Sequence, residues 1–129
     1  MKTKIKKYLA PFFLIAGVII VFTFVDYLFH IIDPEYAVPD RYFRNKVIFG
    51  TIYSFIIYFF VRKLPPVIAS LILALVVSSV LQIRYYFEGY GIEFVILFLG
   101  IHFFILWPIS WIFFEYKDRL IKLKKQSSS

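Results

Sequence analysis

Thr23, Asp26, His30 and Asp33 follow one another in steps of three and four residues, so a helix built over this stretch carries them on one face. A carboxylate and an imidazole four residues apart can pair, exchange a proton or ligate a cation, and histidine changes charge near neutral pH. Three more polar residues, Gln82, Arg84 and His102, stand inside or beside otherwise apolar runs further along the chain. An ionised carboxylate in hydrocarbon is costly, so Asp26 must face a partner, water or a cation.

Three chemistries fit the set Thr23, Asp26, His30, Gln82, Arg84 and His102. In a structural role, Asp26 pairs with Arg84 or hydrogen-bonds Gln82 and locks two helices together. In a transport role, Asp26, His30 and His102 line a water-accessible path and exchange protons or a cation. In a metal or enzyme role, Asp26 and His30 supply two ligands, with His102 or Glu93 as a third. No His-Glu-x-x-His, Gly-x-Ser-x-Gly or paired-acid motif accompanies them, so no residue is assigned as catalytic and no cofactor is specified. By itself His102 reads as a helix-contact histidine bonded to a neighbouring backbone group or serine.

The elements that must position these residues are membrane helices. Of the 129 residues, 61% are hydrophobic and 22% aromatic, more apolar surface than a soluble domain of this size can hide. Four runs emerge, at about 8–32, 44–62, 65–86 and 92–115, against the ~20 residues that cross a hydrocarbon core of about 30 Å. The second is the shortest, and the reading has Arg44 and Lys46 snorkel outward so that its helix begins near Phe43. Pro65 and Pro66 open the third run, since a proline in a first helical turn lacks only an N–H that has no partner there anyway. Gly89-Tyr90-Gly91 reads as a turn, because no Lys-Ser/Thr follows to make a phosphate loop. Counted at about 1.5 Å per residue, Asp26 lies about 9 Å below the outer end of its run and His102 about 15 Å into the fourth.

Charge placement orients the chain. Eleven basic residues (Lys2, Lys4, Lys6, Lys7, Arg62, Lys63, Lys117, Arg119, Lys122, Lys124 and Lys125) fall on the side of the two termini. Only Arg41, Arg44, Lys46 and Arg84 fall on the other. The positive-inside rule puts both termini in the cytoplasm, with the basic groups against anionic headgroups. The net charge of +7 therefore points to lipid, since no folded basic reading surface for nucleic acid is present. The absence of cysteine excludes disulfides, Cys-ligated metals and thiol redox chemistry on this chain.

Small residues predict the helix contacts. Ser70, Ala74 and Ser78 recur every fourth residue on the third run, as do Gly50 and Ser54 on the second, so these two faces are expected to pack together. The fold expected is an all-α integral membrane protein, a four-transmembrane-helix bundle over 1–126 with a disordered tail at 127–129. Four spans in so short a chain resemble the plan of lipid-linked sugar flippase-like proteins and small multidrug exporters. The exporters carry a membrane-embedded glutamate in span one, where this chain has Asp26 nearer the outer face. The leading expectation is movement of a small solute, ion or lipid by an oligomer. The alternative is a non-catalytic accessory subunit of a larger membrane complex, and a membrane-embedded lipid-modifying or metal-dependent enzyme ranks third.

Overall fold

The computed structural model describes residues 2–128, with side chains from residue 7 onward. Its elements are α1 (Lys2–Ile32), a 3-10 turn (Pro34–Tyr36), α2 (Arg41–Val61), α3 (Pro66–Phe87) and α4 (Ile92–Ser127). Each helix packs against its neighbours in the chain, and α4 closes the ring against α1. The closest pair is α3 with α4. Among the described residues there is no strand.

Each helix buries a stripe set by its sequence period. On α1 the buried residues are Ile15, Ile19, Phe22, Thr23, Asp26 and His30, spaced by three and four apart from one adjacent pair. Most residues between them are exposed and apolar, among them Ile20, Val21, Phe24 and Leu28. Ile19, Phe22, Leu73, Val77 and Leu106 belong to one apolar core, which reaches Tyr58, Phe113 and Phe114. A smaller cluster of Tyr42, Tyr85 and Val95 lies near the opposite end of the bundle. Beside Tyr58, the Lys117 ammonium lies 4.0 Å from the ring centroid.

The connections follow local chemistry. The Asp33 carboxylate accepts from the Glu35 N–H at 2.9 Å and caps the 3-10 turn. Pro66 is the first residue of α3, as its missing N–H favours. The α3–α4 turn places Gly89 at φ 92°, a conformation that a Cβ disfavours. Pro108 lies inside α4, which continues past it.

Among the described residues, three helices are long and apolar enough to cross a membrane: Lys7–Ile32, Pro66–Phe87 and Ile92–Ser127. The 21 residues of α2 give sufficient length, but Arg41, Arg44, Asn45 and Lys46 crowd its first two turns. Four expectations are corrected here. First, α2 begins at Arg41, two residues before Phe43. Second, Arg44 is exposed as anticipated but Lys46 is buried at 4% exposure, so this lysine turns inward.

Third, Gly50, Ser54, Ser70, Ala74 and Ser78 are all buried, yet a Cβ on Gly50 would meet Ile19 of α1 at 3.2 Å, and no atom of α3 within 4 Å. A glycine hole accepts a large side chain from either neighbour, and here the Ile19 ridge fills it. Fourth, α4 runs to Ser127 with Ser128 as its cap, so the helix extends well past the expected span end near 115. Ser129 lies outside the described residues.

Candidate functional site

All four helices send a side chain to one point. Asp26 and His30 come from α1, Lys46 from α2, Gln82 from α3 and His102 from α4. The Asp26 carboxylate has both oxygens engaged: Oδ2 holds the Lys46 ammonium, and Oδ1 lies 2.8 Å from His102 Nε2. The second nitrogen of His102, Nδ1, is 2.6 Å from Gln82 Nε2. His30 Nδ1 is 2.5 Å from the Tyr36 carbonyl oxygen, and its Nε2 stands 3.5 Å from both Lys46 Nζ and Asp26 Oδ2.

These partners fix the tautomers. A carbonyl oxygen only accepts, so His30 Nδ1 carries a proton and donates to Tyr36, leaving the Nε2 lone pair toward the lysine. The Gln82 amide N–H donates to His102 Nδ1, so His102 carries its proton on Nε2 and donates to Asp26. Lys46 Nζ is also 3.3 Å from His102 Nε2, but that nitrogen already spends its proton on the carboxylate. The cluster is therefore one carboxylate and one ammonium in direct contact, flanked by two imidazoles. With both imidazoles neutral the formal charge sums to zero, an arrangement that makes ionised groups tolerable in a medium of low dielectric.

The walls are aromatic. Phe98 stacks on the His30 ring at 4.2 Å and 3°, Phe22 meets His102 edge-on at 5.4 Å, and Lys46 Nζ lies 5.1 Å from the Tyr85 ring centroid. Asp26 and His102 are both 0% exposed, so water does not reach the carboxylate in this arrangement. Two polar atoms at the site have no hydrogen-bond partner, Gln82 Oε1 and the Tyr85 hydroxyl.

Of the residues singled out in the sequence, Asp26, His30, Gln82 and His102 meet. Thr23 is buried one turn before Asp26, with its hydroxyl unpartnered. Arg84 does not join: it faces Glu88 at 3.9 Å and lies 5.2 Å from the Tyr42 ring. Glu93 is exposed and lies outside the group of ligand atoms that Asp26, His30 and His102 bring within 4.8 Å of one another. The different depths counted for Asp26 and His102 did not keep them apart.

The residue that the sequence reading missed is Lys46. A signal for it existed: Gly50 and Ser54 mark the buried face of α2, and one turn backward on that stripe is position 46. On its other side Lys46 lines a groove of about 360 Å³ between α2 and α3, together with Tyr42, Asn45, Phe49, Arg84 and Tyr85. Compared with family models, curated proteins and solved structures, the chain matches none.

Proposed function

We propose that the chain is a four-span membrane protein with both termini in the cytoplasm, serving as a non-catalytic subunit of a larger membrane assembly. One observation carries the proposal: Asp26 is wholly buried with both carboxylate oxygens engaged by Lys46 and His102. A conducting path through one chain needs water at its charged residue, and a catalytic site needs a group free to react. Here both demands go unmet. The cluster instead joins all four helices, which suits a lock on the bundle's internal geometry. A small membrane protein of this kind acts through its outer surfaces, on copies of itself or on another membrane protein.

The same cluster supports α2 as the fourth span. A lysine facing lipid would oppose insertion, whereas Lys46 is neutralised inside the bundle by Asp26. The exposed Arg44 lies near the outer end, within reach of the headgroups. Transport remains the second reading, favoured by the groove between α2 and α3 that reaches Lys46 from the side.

Proteoliposomes loaded with a pH-sensitive dye separate the two. The subunit reading expects wild-type protein, Asp26→Asn protein and protein-free vesicles to leak protons and monovalent cations at one rate. A wild-type flux above the protein-free rate that Asp26→Asn abolishes would establish transport instead. In mild detergent, the chain from its native membrane should sediment as a particle well above its own 15.4 kDa plus micelle, and a monomer there counts against the assembly role.

A further inference from the structure

The chain contains two histidines and no cysteine, and both histidines meet at Asp26. We propose that Asp26, His30 and His102 are the ligands of a divalent transition-metal site, of the zinc class, which Lys46 fills with its own ammonium when no metal is bound. The inference goes beyond the subunit role and stands whether or not that role holds.

Donor chemistry comes first. Two imidazole nitrogens and a carboxylate oxygen are the ligand types that zinc-class ions take, with a fourth position left for water or another ligand. With bonds of about 2.0–2.1 Å, tetrahedral ligands stand about 3.3 Å apart. In the cluster, His102 Nε2 is 2.8 Å from Asp26 Oδ1, His30 Nε2 is 3.5 Å from Asp26 Oδ2, and all the ligand atoms lie within 4.8 Å of one another. The spacing brackets what a metal requires. A cation already sits among them, since Lys46 Nζ contacts all three residues.

The surrounding bonds are those of a metal's outer shell. A ligating histidine donates its second N–H to a carbonyl or carboxylate, which fixes its tautomer and orientation. His30 already does so, with Nδ1 donating to Tyr36 and Nε2 directed into the cluster. His102 requires one change. Turning the Gln82 amide over presents Oε1, now without a partner, to His102 Nδ1, moves the histidine proton there and frees Nε2 for the metal. An unpaired buried acceptor next to the ring it would serve gives the lone Gln82 oxygen a use.

Lys46 needs somewhere to go, and the groove that it lines between α2 and α3 is that place. Swinging outward, the ammonium keeps its charge and reaches toward the headgroup level. A doubly charged ion then replaces it beside the carboxylate. The same movement of Lys46 would open the way from this groove to the three ligands, none of which lines it while the lysine is in place.

The test uses the full chain with any affinity tag removed, stripped with a chelator and dialysed against zinc in detergent. Bound metal is counted by mass spectrometry, and cobalt substitution is read as visible absorption. Wild-type protein should hold one zinc per chain and show the intense bands of a low-coordinate cobalt site. His30→Gln and His102→Gln should each lose both. Gln82→Leu, which removes only the outer-shell carbonyl, should weaken binding by about 10–100-fold. Lys46→Met removes the competing ammonium, so it should bind zinc more tightly than wild type and gain more melting temperature from it. Zinc retained equally by the histidine variants, or by neither wild type nor Lys46→Met, would overturn the assignment. Should Lys46→Met fail to fold without metal, the comparison of wild type with His102→Gln still decides.

Discussion

At the scale of single residues, the main consequence of the cluster is that Lys46 and Asp26 depend on each other. Removing one member of a buried ion pair leaves an uncompensated charge and costs about 3–5 kcal/mol, while removing both can be close to neutral. In chelator, Asp26→Asn and Lys46→Met should each lower stability by about that amount, and the double variant should recover most of it. Unfolding of reconstituted protein across the cycle measures the coupling. Arg84→Gln serves as the contrast: its pairing with Glu88 is long, at 3.9 Å, and partly exposed, so its loss should cost less than about 1 kcal/mol. Single effects at positions 26 and 46 that simply add would remove the pair from the account. The sequence made four of the five cluster residues legible, because a polar residue in an apolar run stands out. Lys46 was hidden by its place near a helix end, where a lysine has an alternative in the headgroups. Composition cannot choose between snorkelling out and turning in. The choice depends on whether a carboxylate waits inside, and that is a tertiary fact.

Helix-scale packing turns on a hole and the ridge that fills it. The small residues of the two stripes are buried, but their spacing leaves open which neighbour each face meets, because a four-helix ring gives every helix two. Gly50 faces Ile19 across α1 and α2, where a Cβ would lie 3.2 Å from the isoleucine's Cγ2. Gly50→Leu overfills that contact and should cost about 1–3 kcal/mol. Ile19→Ala empties it and should cost about 2–5 kcal/mol. Combined, the two should cost clearly less than their sum, since the new leucine occupies the space the isoleucine leaves. Thermal unfolding in detergent reads the difference, and additive losses would place Gly50 against another helix. Some helix limits follow residues visible in the sequence: Pro66 opens α3 and the Gly89 turn separates α3 from α4, whereas α1 begins at Lys2, ahead of the apolar run expected from 8. The end of α4 was not legible either. Its last turns from Tyr116 onward are polar enough to read as tail, but they continue as an uninterrupted helix to Ser127.

For the molecule as a whole, the open choice is between three crossings and four. Lys46 leaves the tally of basic residues on the side away from the termini once it is buried, which strengthens the charge asymmetry behind the proposed orientation. At about 1.5 Å per residue, the 36 residues of α4 extend about 54 Å, well past a hydrocarbon core of about 30 Å. The surplus carries Lys117, Arg119, Lys122, Lys124 and Lys125, placed to meet anionic headgroups if that end is cytoplasmic. Because the chain has no cysteine, single cysteines report sidedness without background. With four spans and the termini inside, Ala37→Cys and Glu93→Cys should react with an impermeant thiol reagent in intact cells, while Lys63→Cys and Ser127→Cys should react only after permeabilisation. If α2 instead lay along the outer surface, Lys63→Cys would label from outside together with Ala37→Cys. The two later sites would also exchange, with Ser127→Cys labelled and Glu93→Cys protected. A wholly inverted chain would label at Lys63 and Ser127 and at neither of the others. Each topology leaves its own pattern, and labelling at Ala37 and Glu93 alone is the outcome expected of the proposed four-span chain with both termini in the cytoplasm.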